Sequence, residues 1–364
     1  MTTTVKPPSR LTSVHAAEFV TREIQVRTCR EEDRERWEEF VSNHSECTSY
    51  HRWSWKNVFQ EVFQWPAHYL IAEESGKVRG ILPLIRQKCL LRTYLSSMPH
   101  LNGGGIVADA PEIEKLLFAS AVDAAREMKA AYLEMRHLTW HDLPLEPRND
   151  KVGAILPIEG DEEGRFRRLD KKTRNLVRKS LTFGLTAHFG RTDLLDDFYS
   201  IYQRNMRDLG SPSYARSFFA EILAQFPDDA SICVVRLGGE PVAAGFLIGF
   251  RETVEVAWAS SNRKFLHLKP NMFLYWNILA FAAQQKYEFL DFGRSGQGSG
   301  TYEFKMRWGA VPSQLHWGYW HREQTKVAGS RSEGMQLARE IWRRLPIGLT
   351  KALGPSLIRH IPGV

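Results

Sequence analysis

The chain is short of several things. Its four cysteines (Cys29, Cys47, Cys89 and Cys233) are scattered over 364 residues with no C-x-x-C pair. A disulfide framework and a structural zinc site are therefore not expected, and a reduced, cytoplasmic setting is. Long apolar runs are missing as well. The longest uncharged stretch worth testing, Pro270–Gln285, has 16 residues and ends in two glutamines. That is short of the roughly 20 apolar residues a bilayer span needs. The opening MTTTVKPPSR carries no apolar core of the kind a secretory leader has. There is no Gly-Lys-Ser/Thr phosphate loop and no nucleophile elbow. What is present is an ordinary globular balance, 43% hydrophobic and 25% charged, over a length that predicts two domains.

Positive charge is concentrated rather than general. The net charge is +7, yet Arg165–Lys179 alone holds eight Lys/Arg against one Asp, and His321–Val364 holds eight against three Glu. The rest is mildly acidic. Two local basic elements point to an anionic ligand or an anionic surface.

Hydrophobic period and turn residues give the element order. After a tail over residues 1–20, Ala67–Glu73 and Val78–Arg86 read as a hairpin around Ser75-Gly76-Lys77, and Leu90–Ser97 as a further strand. Pro111–Lys129 reads as a helix and Tyr132–Arg136 as a short strand. The second half repeats the plan. Asp193–Leu209 and Tyr214–Phe226 are amphipathic helices; Ile232–Leu237 and Pro241–Phe250 form a hairpin; Val254–Ser260 follows. Then come a buried helix, Asn271–Gln285, and a strand, Phe289–Phe292. Lys129-Ala-Ala-Tyr132-Leu133-Glu134 lies over Lys286-Tyr287-Glu288-Phe289-Leu290-Asp291. The order predicts an internal duplication.

The candidate chemistry is in the second half. At 100° per residue, Arg167, Lys171, Arg174 and Arg178 fall on one stripe of a basic helix over 165–180. Such a stripe is a solvated face or a set of donors for phosphates and carboxylates. Asp291-Phe292-Gly293-Arg294 runs into four glycines within eight residues, which lets backbone approach a ligand closely. Tyr302–Gly309 alternates aromatic and charged residues; as a strand it would set Tyr302, Phe304, Met306 and Trp308 against Glu303, Lys305 and Arg307. Asn205 is a polar residue on an apolar helix face, and Trp258 and Asn271 are either pocket lining or packing. Asn102-Gly103-Gly104-Gly105 is a tight turn or an anion cradle. His137 and His141 stand four apart without the glutamate a zinc protease helix needs, so no metal is expected.

These motifs, with Asn205-Met-Arg-Asp-Leu-Gly210, Pro241-Val-Ala-Ala-Gly245, Trp258-Ala-Ser-Ser261 and Gly300-Thr-Tyr-Glu-Phe-Lys-Met-Arg-Trp-Gly309, resemble the FemAB family. The likeness is greatest to FemAB-like proteins associated with PEP-CTERM exopolysaccharide loci, and it covers roughly residues 25–320. It implies an α+β fold of two tandem GNAT-like domains, each a mixed, mostly antiparallel sheet flanked by helices, over 21–160 and 161–322, with a basic C-terminal segment, 323–364. It implies acyl or aminoacyl transfer to an amine of a cell-envelope or exopolysaccharide precursor, with Phe304-Lys305 matching the family's donor channel. Lys305, Asp291 and Arg294 are then the catalytic candidates. Arg167, Lys171, Arg174, Arg178, Asn205, Trp258, Asn271, Tyr302 and Phe304 are candidates for substrate binding. Asp291, Glu303 or bound water would serve as base.

No cofactor is expected beyond the acyl donor as co-substrate, whether aminoacyl-tRNA, acyl-CoA or another. The family's tRNA-linked helical arm has no room in 161–192. The usual CoA-binding stretch reads Arg263-Lys-Phe-Leu-His-Leu-Lys-Pro-Asn271, without glycine. Expected partners are an anionic envelope precursor and, through 333–364, an anionic membrane surface, with no nucleic acid other than tRNA as donor. The expected place is the cytoplasm, at the inner membrane's periphery. An acyl-CoA-dependent N-acetyltransferase and a non-catalytic accessory protein that binds the precursor are the alternatives.

Overall fold

In a computed structural model of the chain, residues 23–89, 92–148, 150–322 and 333–361 are described. The tail expected over 1–20 lies outside them. Three sheets organise the molecule. Gln25–Thr28, Leu70–Glu74, Lys77–Leu82 and Val107–Ala108 form a four-stranded sheet in that order. Leu84–Cys89, Arg92–Ser97, Tyr132–His137, His316–His321 and Glu146–Arg148 form a second. Pro83 separates Lys77–Leu82 from Leu84–Cys89. Lacking an N–H, it cannot continue the ladder, and the chain passes there from one sheet to the other.

The third sheet runs Leu185–Gly190, Ala230–Leu237, Glu240–Phe250, Thr253–Ser261, Phe289–Asp291, Lys151–Pro157 and Ser295–Gly296, with Val311–Gln314 also paired to Lys151–Pro157. The sheets do not part at residue 160. Lys151–Pro157 pairs with three strands of the second half, and His316–His321 returns to pair with Tyr132–His137 and Glu146–Arg148. Each half thus holds a strand from across the expected boundary.

The duplication is visible in the pairing. Each half has one parallel pair: Arg92–Ser97 beside Tyr132–His137, and Thr253–Ser261 beside Phe289–Asp291. Each pair is bridged by a helix that opens on proline, Pro111–Glu127 and Pro270–Gln284. A lysine in the left-handed region follows each helix, Lys129 at φ 53° and Lys286 at φ 64°. An aromatic core joins the halves. Trp55, Phe59 and Phe63 of one helix pack with Phe218, Phe219 and Phe226 from the Arg216–Gln225 helix and its end. Burying each such ring contributes on the order of 2 kcal/mol.

Two expected elements differ. The basic helix is two helices, Glu162–Arg168 and Lys171–Leu181. Asp170 breaks it by capping the second, its carboxylate accepting from the Lys172 and Thr173 N–H groups at 2.8 and 3.0 Å. Tyr302–Gly309, read as a strand, instead starts inside a helix, Gly300–Met306, whose cap is Ser299, its hydroxyl accepting from Tyr302 N–H.

Candidate active site

The second parallel pair sets two carboxylates side by side. Glu255 and Asp291 are register partners on the neighbouring strands Thr253–Ser261 and Phe289–Asp291. Glu255 is 5% exposed. The Tyr50 hydroxyl donates to its Oε2, and Asn102 Nδ2 donates to its Oε1 at 2.6 Å. Burial, with Asp291 adding its charge, pushes the Glu255 carboxyl well above the usual carboxylate range, against the pull of Tyr50, Asn102 and Lys305. Burial raises Asp291 too, opposed by the Gly293 N–H at 2.7 Å and by Lys305.

The glycine-rich turn and the helix after it complete the group. Gly293, at φ 69°, turns the chain so that the carbonyls of residues 293 and 294 point at Lys305. Lys305 Nζ donates to them at 2.8 and 2.9 Å. It is 6% exposed, and burial draws its ammonium down to about 8 despite the neighbouring Asp291 and Glu255. Lys305 lies in the last turn of its helix, reaching the turn because that segment is helical. Arg294 Nη1 donates to Leu101 O at 3.1 Å, and its guanidinium stands 5.0 Å from the Trp317 ring centre. Burial and then Arg136 bring its pKa down to about 10.

The first half contributes a neutralised partner cluster. Arg136, fully buried, donates to Glu134 Oε2 at 3.1 Å and to Leu101 O at 2.5 Å. Tyr319 donates to Glu134 Oε1 at 3.1 Å and receives from Arg148 at 2.7 Å. Trp317 lies within 4.4 to 5.6 Å of three guanidiniums, those of Arg136, Arg294 and Arg148. A groove of about 490 Å³, lined in part by His137, Trp140, His141, Gln297, Gln314 and Trp317, opens beside this cluster.

Lys305, Asp291 and Arg294 are therefore brought together. Glu255, Tyr50 and Arg136 join them unannounced by the sequence, and Asn102 joins from the stretch before three glycines that reads as a tight turn or an anion cradle. Gly105 matters there: a Cβ would fall 2.2 Å from the His137 ring, so only glycine lets this loop close on the strand.

The other candidates lie elsewhere. Arg174 Nη1 donates to Arg167 O at 2.6 Å, Arg178 covers the Phe166 ring at 5.0 Å, and Arg167 is 3.8 Å from Glu163. The break at Asp170 puts Arg167 and Lys171 on different helices, so the stripe is not one helix face. Glu303 is exposed, which removes it from the cluster as a base. Asn205 Nδ2 donates to Ser260 Oγ at 3.2 Å, tying its helix to the strand of Glu255. Trp258 packs edge-on against Phe219 and Phe246 at 5.2 and 5.7 Å, in the aromatic core. Phe304 packs on Tyr275 at 5.1 Å, and Tyr302 and Asn271 are half-buried in the first turns of their helices. The His137 and His141 rings lie 4.1 Å apart, tilted by 35°, and His141 Nδ1 lies 3.0 Å from a Glu114 oxygen. No group of three or more metal-ligating side chains occurs among the described residues.

Comparison with known proteins places the fold. Residues 164–306 match the family model described as an acetyltransferase (GNAT) domain. The crystal structure of FemX is similar with a TM-score of 0.65 at 15% identity, covering 82% of this chain and 98% of that one. The fold is that of FemX and the tandem GNAT proteins. A tandem GNAT protein from the clavulanic acid biosynthesis pathway matches with a TM-score of 0.54 at 9% identity, over 84% of this chain and all of that one. The C-terminal domain of a putative lysylphosphatidylglycerol synthetase from Agrobacterium fabrum gives 0.54 at 14%, over 92% and 99%. No curated protein matches the sequence. The expected α+β architecture with GNAT-like sheets flanked by helices thus stands.

Proposed function

We propose that this chain is a FemAB-like acyltransferase that passes an acyl or aminoacyl group to an amine of a cell-envelope or exopolysaccharide precursor. One observation carries the reading: the Glu255–Asp291 pair on adjacent parallel strands, with Lys305 and Arg294 beside it. An acceptor amine reaches neutral pH as an ammonium and must lose a proton before it attacks. A carboxylate with a raised pKa takes that proton more readily than an ordinary one. Glu255 is the base in this scheme, in place of the Asp291, Glu303 or bound water expected earlier, and Asp291 holds its basicity up. As the N–C bond forms, the carbonyl electron pair moves to oxygen. Lys305 has three N–H donors, two of which go to backbone carbonyls. The third serves the oxyanion. Collapse breaks the bond to the donor's oxygen or sulfur, which takes up the proton from Glu255; the carboxylate so regenerated accepts the second proton of the adduct nitrogen, leaving a neutral amide, and releases it to solvent.

The precursor as acceptor rests on the motif resemblance and on the exposed cations of the Lys171–Leu181 helix. Two observations bear on the donor. Before the Pro270–Gln284 helix, Arg263–Leu268 forms a 3-10 helix without glycine, and Pro270 lacks an N–H. That leaves fewer backbone donors for a CoA pyrophosphate than a glycine loop would. The match of 164–306 to the acetyltransferase domain favours the second reading, an acyl-CoA-dependent N-acetyltransferase. The test is product formation, followed by mass spectrometry, from amine-bearing envelope precursors with charged tRNA, acyl-CoA or acyl phosphate as donor. Turnover with one donor class, lost by at least about 100-fold in Glu255→Gln, supports the reading. A retained precursor with no turnover from any donor assigns a binding protein instead.

A further inference from the structure

The two C-terminal helices, Glu333–Arg344 and Ile347–Ile358, take no part in the carboxylate cluster, yet each turns an apolar ridge to solvent. In the second, Thr350, Gly354 and Ile358 recur every four residues and are buried. Gly354 abuts the body so closely that a Cβ would lie 3.0 Å from Ser213 Oγ. One position earlier at each step stand Leu349, Leu353 and Leu357, at 44%, 43% and 42% exposure. Residues four apart stack along one helix face, so these leucines form a continuous ridge beside the packed face. In the first helix Trp342 is buried, while Leu337 and Ile341 are 64% and 54% exposed. Arg344, seven residues after Leu337, falls on the same stripe. Five of the eleven exposed large hydrophobics among the described residues therefore lie on these two short helices. Single exposed leucines are ordinary; ordered ridges mark an interface.

Charge decides what covers them. Arg339 and Arg344 are exposed on the first helix, which opens on Glu333; Arg343 there is paired with Glu340 and donates to the Leu209 carbonyl, and the second helix carries exposed Lys351 and no acidic residue. A second copy of this face would bring like charges together, whereas phospholipid phosphates complement them. We propose that this face docks on an anionic phospholipid bilayer, with the leucines at the boundary between headgroups and acyl chains and the arginines on lipid phosphates. The contact is peripheral: among the described residues no helix is long and apolar enough to cross a membrane. This surface stands apart from the acyl-transfer reading, and its test needs no turnover.

The test is co-sedimentation of the full chain with vesicles of phosphatidylcholine alone or with about one-quarter phosphatidylglycerol. The expected result is at least about ten-fold tighter binding to the anionic vesicles, weakening several-fold as salt rises. Leu349→Ser/Leu353→Ser/Leu357→Ser should lower that binding about ten-fold or more with the melting temperature retained. Arg344→Glu, a change on an exposed side chain, should lower it separately. Absence of binding to anionic vesicles at low salt, or full binding by both variants, overturns the proposal. So does a dimer seen by light scattering that the leucine variant dissolves without any vesicle binding, which would assign the ridges to a second copy.

Discussion

The two parallel strand pairs are the same device in two states. In the first half Ser96 faces Glu134, and Glu134 is matched by the Arg136 guanidinium and the Tyr319 hydroxyl. In the second half a carboxylate occupies each place: Glu255 faces Asp291, and the nearby Lys305 spends two donors on backbone carbonyls. One half balances its charge internally. The other keeps two acids in a space that disfavours ionising both, so a proton is held there and can be exchanged. A duplicated fold can thus keep one copy of a site as scaffold and load the other for chemistry.

The largest expected effect breaks the balanced half. Arg136→Ala removes the nearer and fully buried of the two cations beside Glu134, leaving Arg148 at 3.8 Å, and should cost about 3 kcal/mol, read as a fall in the urea midpoint. In the loaded half, Lys305→Ala should instead act on turnover. Loss of an oxyanion donor raises the barrier by about 3 kcal/mol. The two lost hydrogen bonds to carbonyls should cost stability only about 1 kcal/mol each. Equal losses of rate and stability would make Lys305 a structural residue and would erase the contrast.

A third prediction uses pH. In the fold Glu255 holds a proton at pH values where the unfolded chain has released it, so its contribution to stability is lost as pH rises through the raised pKa. Buried His51, His100 and His137, held neutral below their usual 6.5, act in the opposite sense at lower pH. Lys305, drawn down to about 8, titrates above. Between about pH 6.5 and 8 the stability of the wild type should therefore fall relative to Glu255→Gln. Parallel denaturation midpoints across that window would refute the raised carboxyl. The smallest effect concerns what the halves share. Lys129→Gly and Lys286→Gly each relieve a left-handed residue at the same turn and should stabilise by about 0.5–1 kcal/mol, alike in both halves. A clear inequality would weaken the equivalence of the two turns.

Much of this architecture was legible because period and punctuation act locally. The repeated Lys129–Glu134 and Lys286–Asp291 segments became the second strands of the two parallel pairs, turn lysines included. Asp291, Arg294 and Lys305 were legible because one motif run carries them. Glu255 was not. Between Val254 and Val256 it reads as the solvent side of an alternating strand, an inference that fails when the strand is central and covered on both faces. Tyr50 and Asn102 reach Glu255 from |i−j| separations of 205 and 153, which no local pattern encodes. Tyr302–Gly309 misled because alternation over so few residues suits a strand, while the Ser299 cap that selects helix stands just before it. Asp170 looked like one acid in a basic run, and its capping role set where the helix ends.

The returning strand His316–His321 has a consequence for how the molecule is made. A ribosome delivers residues 132–148 long before it delivers 316, so the slot between Tyr132–His137 and Glu146–Arg148 waits for most of the second half to emerge. Until then Glu134 lacks the Tyr319 hydroxyl, and two strand edges stand open to unwanted pairing. Such distant closure slows folding and gives chaperones a defined species to hold. A nascent chain stalled before residue 316 should remain protease-sensitive in its first half, and release of the last strand should be the step that locks both halves at once.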